Sequence, residues 1–238
     1  MSRDAPRPFI HVVAAAVIDS SGRVLIAQRP PGKHMAGGWE FPGGKLEPGE
    51  ERLAGLAREL REELGIAIAP ERSRPLIRVR HSYPSREVLL DIWVIRNYSG
   101  EPRGLDGQAL RWCTQDELAT VQLLPADGPI VAALRLPERL TQISSTAYSI
   151  VEPGGLRGTA ASEHAGHPLP LSGVFCAGAL EAAAAVAAGA QFLVLRRKLR
   201  PNEVAELCRS VSVPTYARGL TLAEAWVLGA TGTNEIEN

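Results

Sequence analysis

One stretch constrains this chain more than any other: Gly43-Gly44-Lys45-Leu46-Glu47-Pro48-Gly49-Glu50, continuing to Ala57-Arg58-Glu59-Leu60-Arg61-Glu62-Glu63-Leu64-Gly65-Ile66. Leu53, Leu56, Leu60 and Leu64 recur at helical spacing. At roughly 100° per residue they form one apolar stripe, which predicts a helix over 50–64 that packs inward. Glu59, Glu62 and Glu63 fall at i, i+3 and i+4 on a different face, so three carboxylates share a patch and repel one another. Two readings follow. The patch is either a solvated face with Arg58 and Arg61 as partners, or a set of hard oxygen donors for Mg²⁺ or Mn²⁺. The glycines favour the second, because Gly43-Gly44 and Pro48-Gly49 bracket a tight loop whose backbone can approach a phosphate or a metal.

Gly44, five residues, Glu50, seven residues and then Arg58-Glu59-Leu60-x-Glu62-Glu63-x-Gly65-Ile66 resembles the whole Nudix box. The resemblance implies a mixed sheet sandwiched between helices, with the box as a loop–helix–loop. It also implies that Glu59, Glu62 and Glu63 are Mg²⁺ or Mn²⁺ ligands, joined by the backbone carbonyl of Gly43. Glu50 and Arg58 become an orienting pair, and Glu62 or Glu63 the general base. A metal held there would neutralise phosphate charge, lower the pKa of an attacking water and stabilise the leaving oxygen.

The surroundings narrow the substrate. Gln28-Arg29, His34-Met35-Ala36-Gly37-Gly38-Trp39-Glu40-Phe41-Pro42-Gly43-Gly44-Lys45, Tyr83-Pro84-Ser85-Arg86, Asp106-Gly107-Gln108 and Leu124-Pro125-Ala126-Asp127 are similar to the MutT branch, the 8-oxo-dGTP diphosphatases. The similarity runs over about residues 9–135. By that resemblance Arg29 meets the phosphates or sugar and His34 lines the nucleotide site. Glu40, Phe41 and Pro42 edge the pocket, Phe41 offering an aromatic wall to the purine. Gly43, Gly44, Lys45 and Arg86 complete the substrate-binding set, and Asp106 supplies an additional metal-binding acid. Asp127 stands where the family reads the purine edge with Asn. Ionised Asp only accepts hydrogen bonds, whereas Asn also donates, so this departure bears on base selectivity. From the residues alone, His34 also reads as an exposed loop residue, Trp39 and Phe41 as core aromatics, and Asp127 as a helix N-cap. His11, His81, His164 and His167 show no ligand spacing and read as structural or solvated.

Residues 137–171 are rich in Ser, Pro, Gly and Thr, with Pro153-Gly154-Gly155 and Pro168-Leu169-Pro170, and predict a linker or irregular segment. From Gly173 onward strand-like and helix-like runs alternate, which predicts parallel strands with right-handed crossovers. Gly189–Leu195, Val213–Leu220 and Gly229–Gly232 resemble the last part of a thiamine-phosphate-synthase or TenI-like barrel. The family's Gly-Gly phosphate turn reads Arg218-Gly219 here, and a whole barrel needs roughly 200 residues or more. The predicted organisation is therefore an α/β (α+β) chain: a Nudix domain at 1–136, a linker at 137–171 and a truncated barrel-like βα segment at 172–238. Open sheet edges in that segment favour a homodimer.

Lys and Arg total 26, as do Asp and Glu, so net charge points to neither a nucleic-acid polymer nor an anionic membrane. No apolar run approaches the roughly 18 residues of a membrane helix, and Ile10–Ile18 reads as a buried strand, not a signal core. Cys113, Cys176 and Cys208 form no metal-type or disulfide spacing, which fits a reducing cytoplasm. The expected activity is hydrolysis of oxidised purine nucleoside triphosphates, 8-oxo-dGTP above all, to monophosphate and pyrophosphate in nucleotide-pool sanitation. The alternatives are another substrate, such as a dinucleoside polyphosphate (Tyr83 falls where some of those hydrolases carry a Tyr) or a thiamine-related pyrophosphate, and a nucleotide-sensing module without turnover.

Overall fold

The computed structural model describes residues 7–142, 144–145, 148–151 and 170–236. Pro153-Gly154-Gly155, His164, His167 and Pro168-Leu169 lie outside the described residues. By packing, the chain forms two compact units, Met1–Thr114 with Val121–Asp127, and Gln115–Thr120 with Gly128–Asn238.

The first unit runs β1 (Phe9–Val17), β2 (Val24–Gln28), β3 (Trp39–Glu40), β4 (Gly43–Lys45), α1 (Arg52–Leu64), β5 (Ala67–Ile68), β6 (Arg74–Tyr83), β7 (Arg86–Ile95), β8 (Tyr98–Ser99) and β9 (Leu110–Cys113). A mixed sheet has the order β4-β1-β7-β6, and β3-β2-β9 form a second, antiparallel sheet. Strands β1 and β7 run parallel, with Ile10 opposite Val88 and Val12 opposite Leu90. Successive side chains of a strand point to opposite faces. On one face Val13, Ala15, Val17, Trp93 and Ile95 pack with Leu56, Leu60 and Leu64 of α1. On the other, Ile10, Val12, Ala14, Val88 and Leu90 line a cavity.

The predicted leucine stripe is thus the buried face of α1: Leu56, Leu60 and Leu64 are 0% exposed, each burial stabilising by roughly 1.5–3 kcal/mol. The helix starts later than the pattern predicts because Glu51 caps it, its carboxylate accepting from the N–H groups of Leu53 (2.8 Å) and Ala54 (3.4 Å). Gly65, left-handed at φ 71°, ends it. The first turn is tied to the sheet by Asp91 of β7, whose Oδ2 accepts from Arg52 (2.9 Å) and from Arg78 of β6 (3.2 Å).

The second unit holds α2 (Gln115–Leu118), α3 (Gly128–Arg135), β10 (Arg139–Leu140), β11 (Tyr148–Val151), β12 (Leu171–Cys176), α4 (Ala179–Ala187), β13 (Phe192–Leu195), α5 (Pro201–Ser210), β14 (Thr215–Arg218), α6 (Leu222–Leu228) and β15 (Gly232–Asn234). Its strands form one parallel sheet, β10-β15-β14-β13-β12-β11, an open half-barrel. The predicted βα alternation is present. Two strands, β10 and β11, fall where the sequence predicts a linker. Tyr148 and Ile150 alternate with Ser149 and Val151 between inner and outer positions, a pattern too short to stand out in a Ser-rich stretch. Helix α3, expected with the first domain, packs in this unit, with Ala132 beside Leu140, Tyr148 and Phe175. Phe192 meets Tyr148 and Tyr216 edge-on at ring distances of 5.8 and 6.1 Å. Its ring occupies the space that a Cβ on Gly173 would need. Cys113, Cys176 and Cys208 are all buried, and none is in a disulfide. Among the described residues no helix is long and apolar enough to cross a membrane.

Candidate active site

The first unit carries a cavity of about 560 Å³. Its floor is the apolar face of β1 and β7 described above, and its wall is built from β3, β4, α1 and the turn before Asp127. Arg29, His34, Glu40, Phe41, Gly43, Gly44, Lys45, Glu59, Glu63, Arg86 and Asp127, all singled out from sequence, line it together. Pro42 is buried beside it, its carbonyl accepting from the Ala15 N–H, and does not line the cavity.

The missing Cβ atoms of two glycines make room at β4. At Gly43 (φ 148°) a Cβ would stand 2.2 Å from the Val13 carbonyl oxygen, so any other residue would break the close pairing with β1. At Gly44 a Cβ would stand 2.3 Å from the Glu59 carboxyl carbon, so the acid rests directly on the glycine backbone. Helix α1 packs on the opposite face of the sheet, yet Glu59 reaches the cavity over this edge.

Arg58 organises the acids. Its guanidinium grips Glu50 through two bonds of 2.9 Å. It also donates to Glu59 Oε1 (2.9 Å), Glu62 Oε2 (3.2 Å) and the Lys45 carbonyl (3.2 Å). Hydrogen bonds from Arg58, then the Glu47 N–H, hold the Glu50 carboxyl down at about 2. The pair predicted to orient the loop is in contact, and it ties loop and helix with charge-assisted bonds. Glu62 points away: its side chain is 60% exposed against 14% for Glu59. The three glutamates therefore separate into two that face the cavity and one that faces solvent.

Glu63 is half-buried. Burial pushes its carboxyl up to about 7, Lys33 works against the shift, and Glu59, Asp106 and Glu40 add to it. Asp106 is exposed on the loop after β8 and stands 3.6 Å from the Lys33 ammonium. Gln108 fixes that loop, accepting from the Asp106 N–H (2.8 Å) and donating to the Glu63 carbonyl (3.0 Å).

A second group of polar side chains shares the cavity. Arg29 pairs with Glu40 and donates to the His34 carbonyl at 2.7 Å. Asp127 closes a short 3-10 turn, Pro125–Asp127, and is 5% exposed. Its Oδ2 is buried with no hydrogen-bond partner among the described residues. Burial, then the Glu40 charge, raises this carboxyl well above the usual range, against Arg29 and the Phe41 N–H. Phe41 is 4% exposed, so its ring is both core and wall. The Arg86 guanidinium lies 5.3 Å from the Tyr83 ring centre, and His34 meets the same ring edge-on at 6.1 Å.

Sequence reasoning assigned no role to Lys33, Met35, Leu124 or the apolar floor, all of which line the cavity. A strand buried on both faces reads as continuously apolar, so nothing marks which alternate residues meet a ligand. Tyr83 carried a weak signal, as a residue seen in one class of related hydrolases.

The donor set suits a divalent cation of the Mg²⁺ kind: two carboxylates, Glu59 and Glu63, beside the Gly43-Gly44 backbone, whose glycine cradle a single Cβ would fill. Among the described residues no three acidic, histidine or cysteine side chains converge as a ready-made cage, since Glu62 is held by Arg58 and Asp106 by Lys33.

Comparison with known proteins agrees with this geometry. A family model described as NUDIX domain matches residues 13–133. The CTP pyrophosphohydrolase of Escherichia coli (strain K12) is 39% identical over 121 residues, 51% of this chain and 88% of that protein. The 8-oxo-dGTP diphosphatase of the same strain is 31% identical over 126 residues, 53% of this chain and 96% of that protein. The 8-oxo-dGTP diphosphatase of Proteus vulgaris is 40% identical over 92 residues, 39% of this chain and 80% of that protein. With its glycine loop, its acid-bearing helix and a family match over residues 13–133, the chain belongs to the Nudix family of hydrolases.

Proposed function

We propose that the protein hydrolyses nucleoside triphosphates, 8-oxo-dGTP among them, to monophosphate and pyrophosphate with Mg²⁺ or Mn²⁺, as a nucleotide-pool enzyme of the cytoplasm. The observation that carries this reading is the shared cavity. Glu59, Glu63 and the Gly43-Gly44 backbone line it together with Phe41 and the unpartnered Asp127. Polyphosphate chemistry and base recognition thus have one container of suitable size.

Glu59, Glu63 and the Gly43 carbonyl would hold the metal, with Glu62 joining after leaving Arg58. When bound, the metal supplies charge neutralisation and activation of water. Lys45 and Arg29 bind phosphate oxygens. Arg58, gripped by Glu50, positions Glu59. Glu63 is favoured over Glu62 as general base, because it faces the cavity whereas Glu62 turns to Arg58 and solvent. It takes the proton of a water whose oxygen bonds to the β-phosphorus. The bond from that phosphorus to the α,β-bridging oxygen breaks, and the monophosphate leaves.

Asp127 favours a second reading of the base. Ionised, it accepts from the N1–H and N2–H₂ edge of a guanine. Neutral, it donates and accepts side by side, which suits the N3 and N4–H₂ edge of cytosine. The raised carboxyl supports the neutral form, and one relative is a CTP pyrophosphohydrolase. The second unit we read as a truncated TenI-like barrel, supported by its parallel strands and crossover helices, and as a dimerisation element.

The test is turnover of 8-oxo-dGTP, dGTP, CTP and a dinucleoside polyphosphate with Mg²⁺, between pH 6 and 9, read as the nucleotide products and, for the triphosphates, as pyrophosphate. A triphosphate turned over to monophosphate and pyrophosphate is the expected result. No turnover of any nucleotide would point to a sensor instead.

A further inference from the structure

Lys33 has no part in the chemistry above, yet it sits among its charges. It belongs to the loop between β2 and β3, whose backbone is stapled: Gly37 N–H to the Arg29 carbonyl (2.9 Å), Arg29 N–H to the Gly38 carbonyl (2.9 Å) and the Gln28 amide to the Gly37 carbonyl (3.0 Å). Gly32, Met35 and Gly37 all take left-handed backbone, at φ 89°, 59° and 85°. The loop is therefore shaped, and what can move is the Lys33 side chain. That side chain lines the cavity and lies 3.6 Å from Asp106, with both partners about half exposed (47% and 49%). An exposed pair of this length is weak and readily exchanged. The ammonium also acts favourably on Glu63 and Glu40.

We infer that Lys33 is a tethered counter-ion at the mouth of the acidic pocket, held by Asp106 beside its acids until a divalent cation enters and then carrying its charge to the polyphosphate. The reasoning is electrostatic and rests on the proposed metal role of Glu59 and Glu63. A divalent ion beside those acids repels the ammonium that now pairs with Asp106 and offsets part of the Glu63 charge. A polyphosphate arriving with the metal offers that ammonium a new partner. Metal alone must displace Lys33, whereas metal with nucleotide re-pairs it, so the two ligands help each other to bind.

The test is Mn²⁺ binding, read by the electron paramagnetic resonance of free Mn²⁺, with and without a non-hydrolysable α,β-methylene triphosphate. Wild type, Lys33→Met, Lys33→Arg and Lys45→Met are compared. Lys33→Met should bind Mn²⁺ alone roughly three- to tenfold more tightly and gain less from the nucleotide, while Lys33→Arg follows wild type. Equal Mn²⁺ affinity in wild type and Lys33→Met, with and without nucleotide, would overturn the inference. So would Lys45→Met tightening the metal as much, since the effect would then be that of any nearby cation. Wild type that takes up no Mn²⁺ would overturn the metal reading of Glu59 and Glu63, and Lys33 with it.

Discussion

The two units differ in sheet architecture, and they bury polar groups to different ends. In the second unit the deeply buried polar side chains are neutral and mostly paired. Asn234 donates to the Leu195 carbonyl (3.0 Å) and accepts from the Ile236 N–H (2.9 Å), and Thr215 donates to the Val213 carbonyl (3.3 Å). The Thr233 hydroxyl is the exception, buried without a partner among the described residues. The first unit buries acids. Asp91 is satisfied by Arg52 and Arg78 and serves the fold. Asp127 keeps an unpartnered oxygen, and burial raises the carboxyls of Glu40, Glu63 and Asp127. A paired neutral group costs little to bury, whereas an under-paired carboxyl is unfavourable. Such a charge persists where a ligand is to meet it, and in this chain it gathers in one cavity.

The sharpest break of that contrast comes from the acids. Glu63→Gln or Glu59→Gln should lower kcat by on the order of 10³ with unchanged circular dichroism. Wild-type turnover in either would remove its assigned role. In the second unit, Tyr216→Ala should destabilise by about 3–5 kcal/mol, as for other buried aromatics, because Tyr216 is 0% exposed against Phe192. Turnover per folded molecule, measured well below the melting transition, should stay within about twofold of wild type, since the mechanism draws on no residue of that unit. A large loss of turnover would mean that the units share the chemistry.

Gly44→Ala places a Cβ 2.3 Å from the Glu59 carboxyl and must displace it. Misplacement on the scale of 1 Å lowers rates by on the order of 10², so kcat should fall that far with little change in stability. The smallest expected effect is that of Asp127→Asn on pH-dependent stability. An unfolded Asp loses its proton near pH 3.9, and folded Asp127 loses it well above that value. Between the two the unfolded chain holds fewer protons, so this group lowers stability as pH rises through the window. Asn removes the penalty. Its gain in Tm over wild type should be near zero at pH 4 and roughly 2–4 °C at pH 8. An equal gain at both values would show that Asp127 does not resist ionisation.

What the sequence made legible was what repeats or is geometrically forced. The leucine stripe of α1 and the αβ alternation of the second unit are periodic. Gly43 and Gly44 were legible as a place of close approach. The rest depends on rotamers and tertiary contacts. Nothing in the spacing says that Glu62 turns to Arg58 and solvent while Glu63 turns inward. Nor does it say that Asp106 meets Lys33, a residue far away in the chain. Strands β10 and β11 escaped notice because two to four residues give too little alternation against a Ser-rich background.

The most direct measurement is diffraction from a crystal grown with Mn²⁺ and a non-hydrolysable triphosphate, with data collected at the manganese edge. The expected result is anomalous density touching the carboxylates of Glu59 and Glu63 and the Gly43 carbonyl, with the polyphosphate on the same ions. Ions bound elsewhere, with those two carboxylates facing solvent, would contradict the assignment of this cavity as the active site.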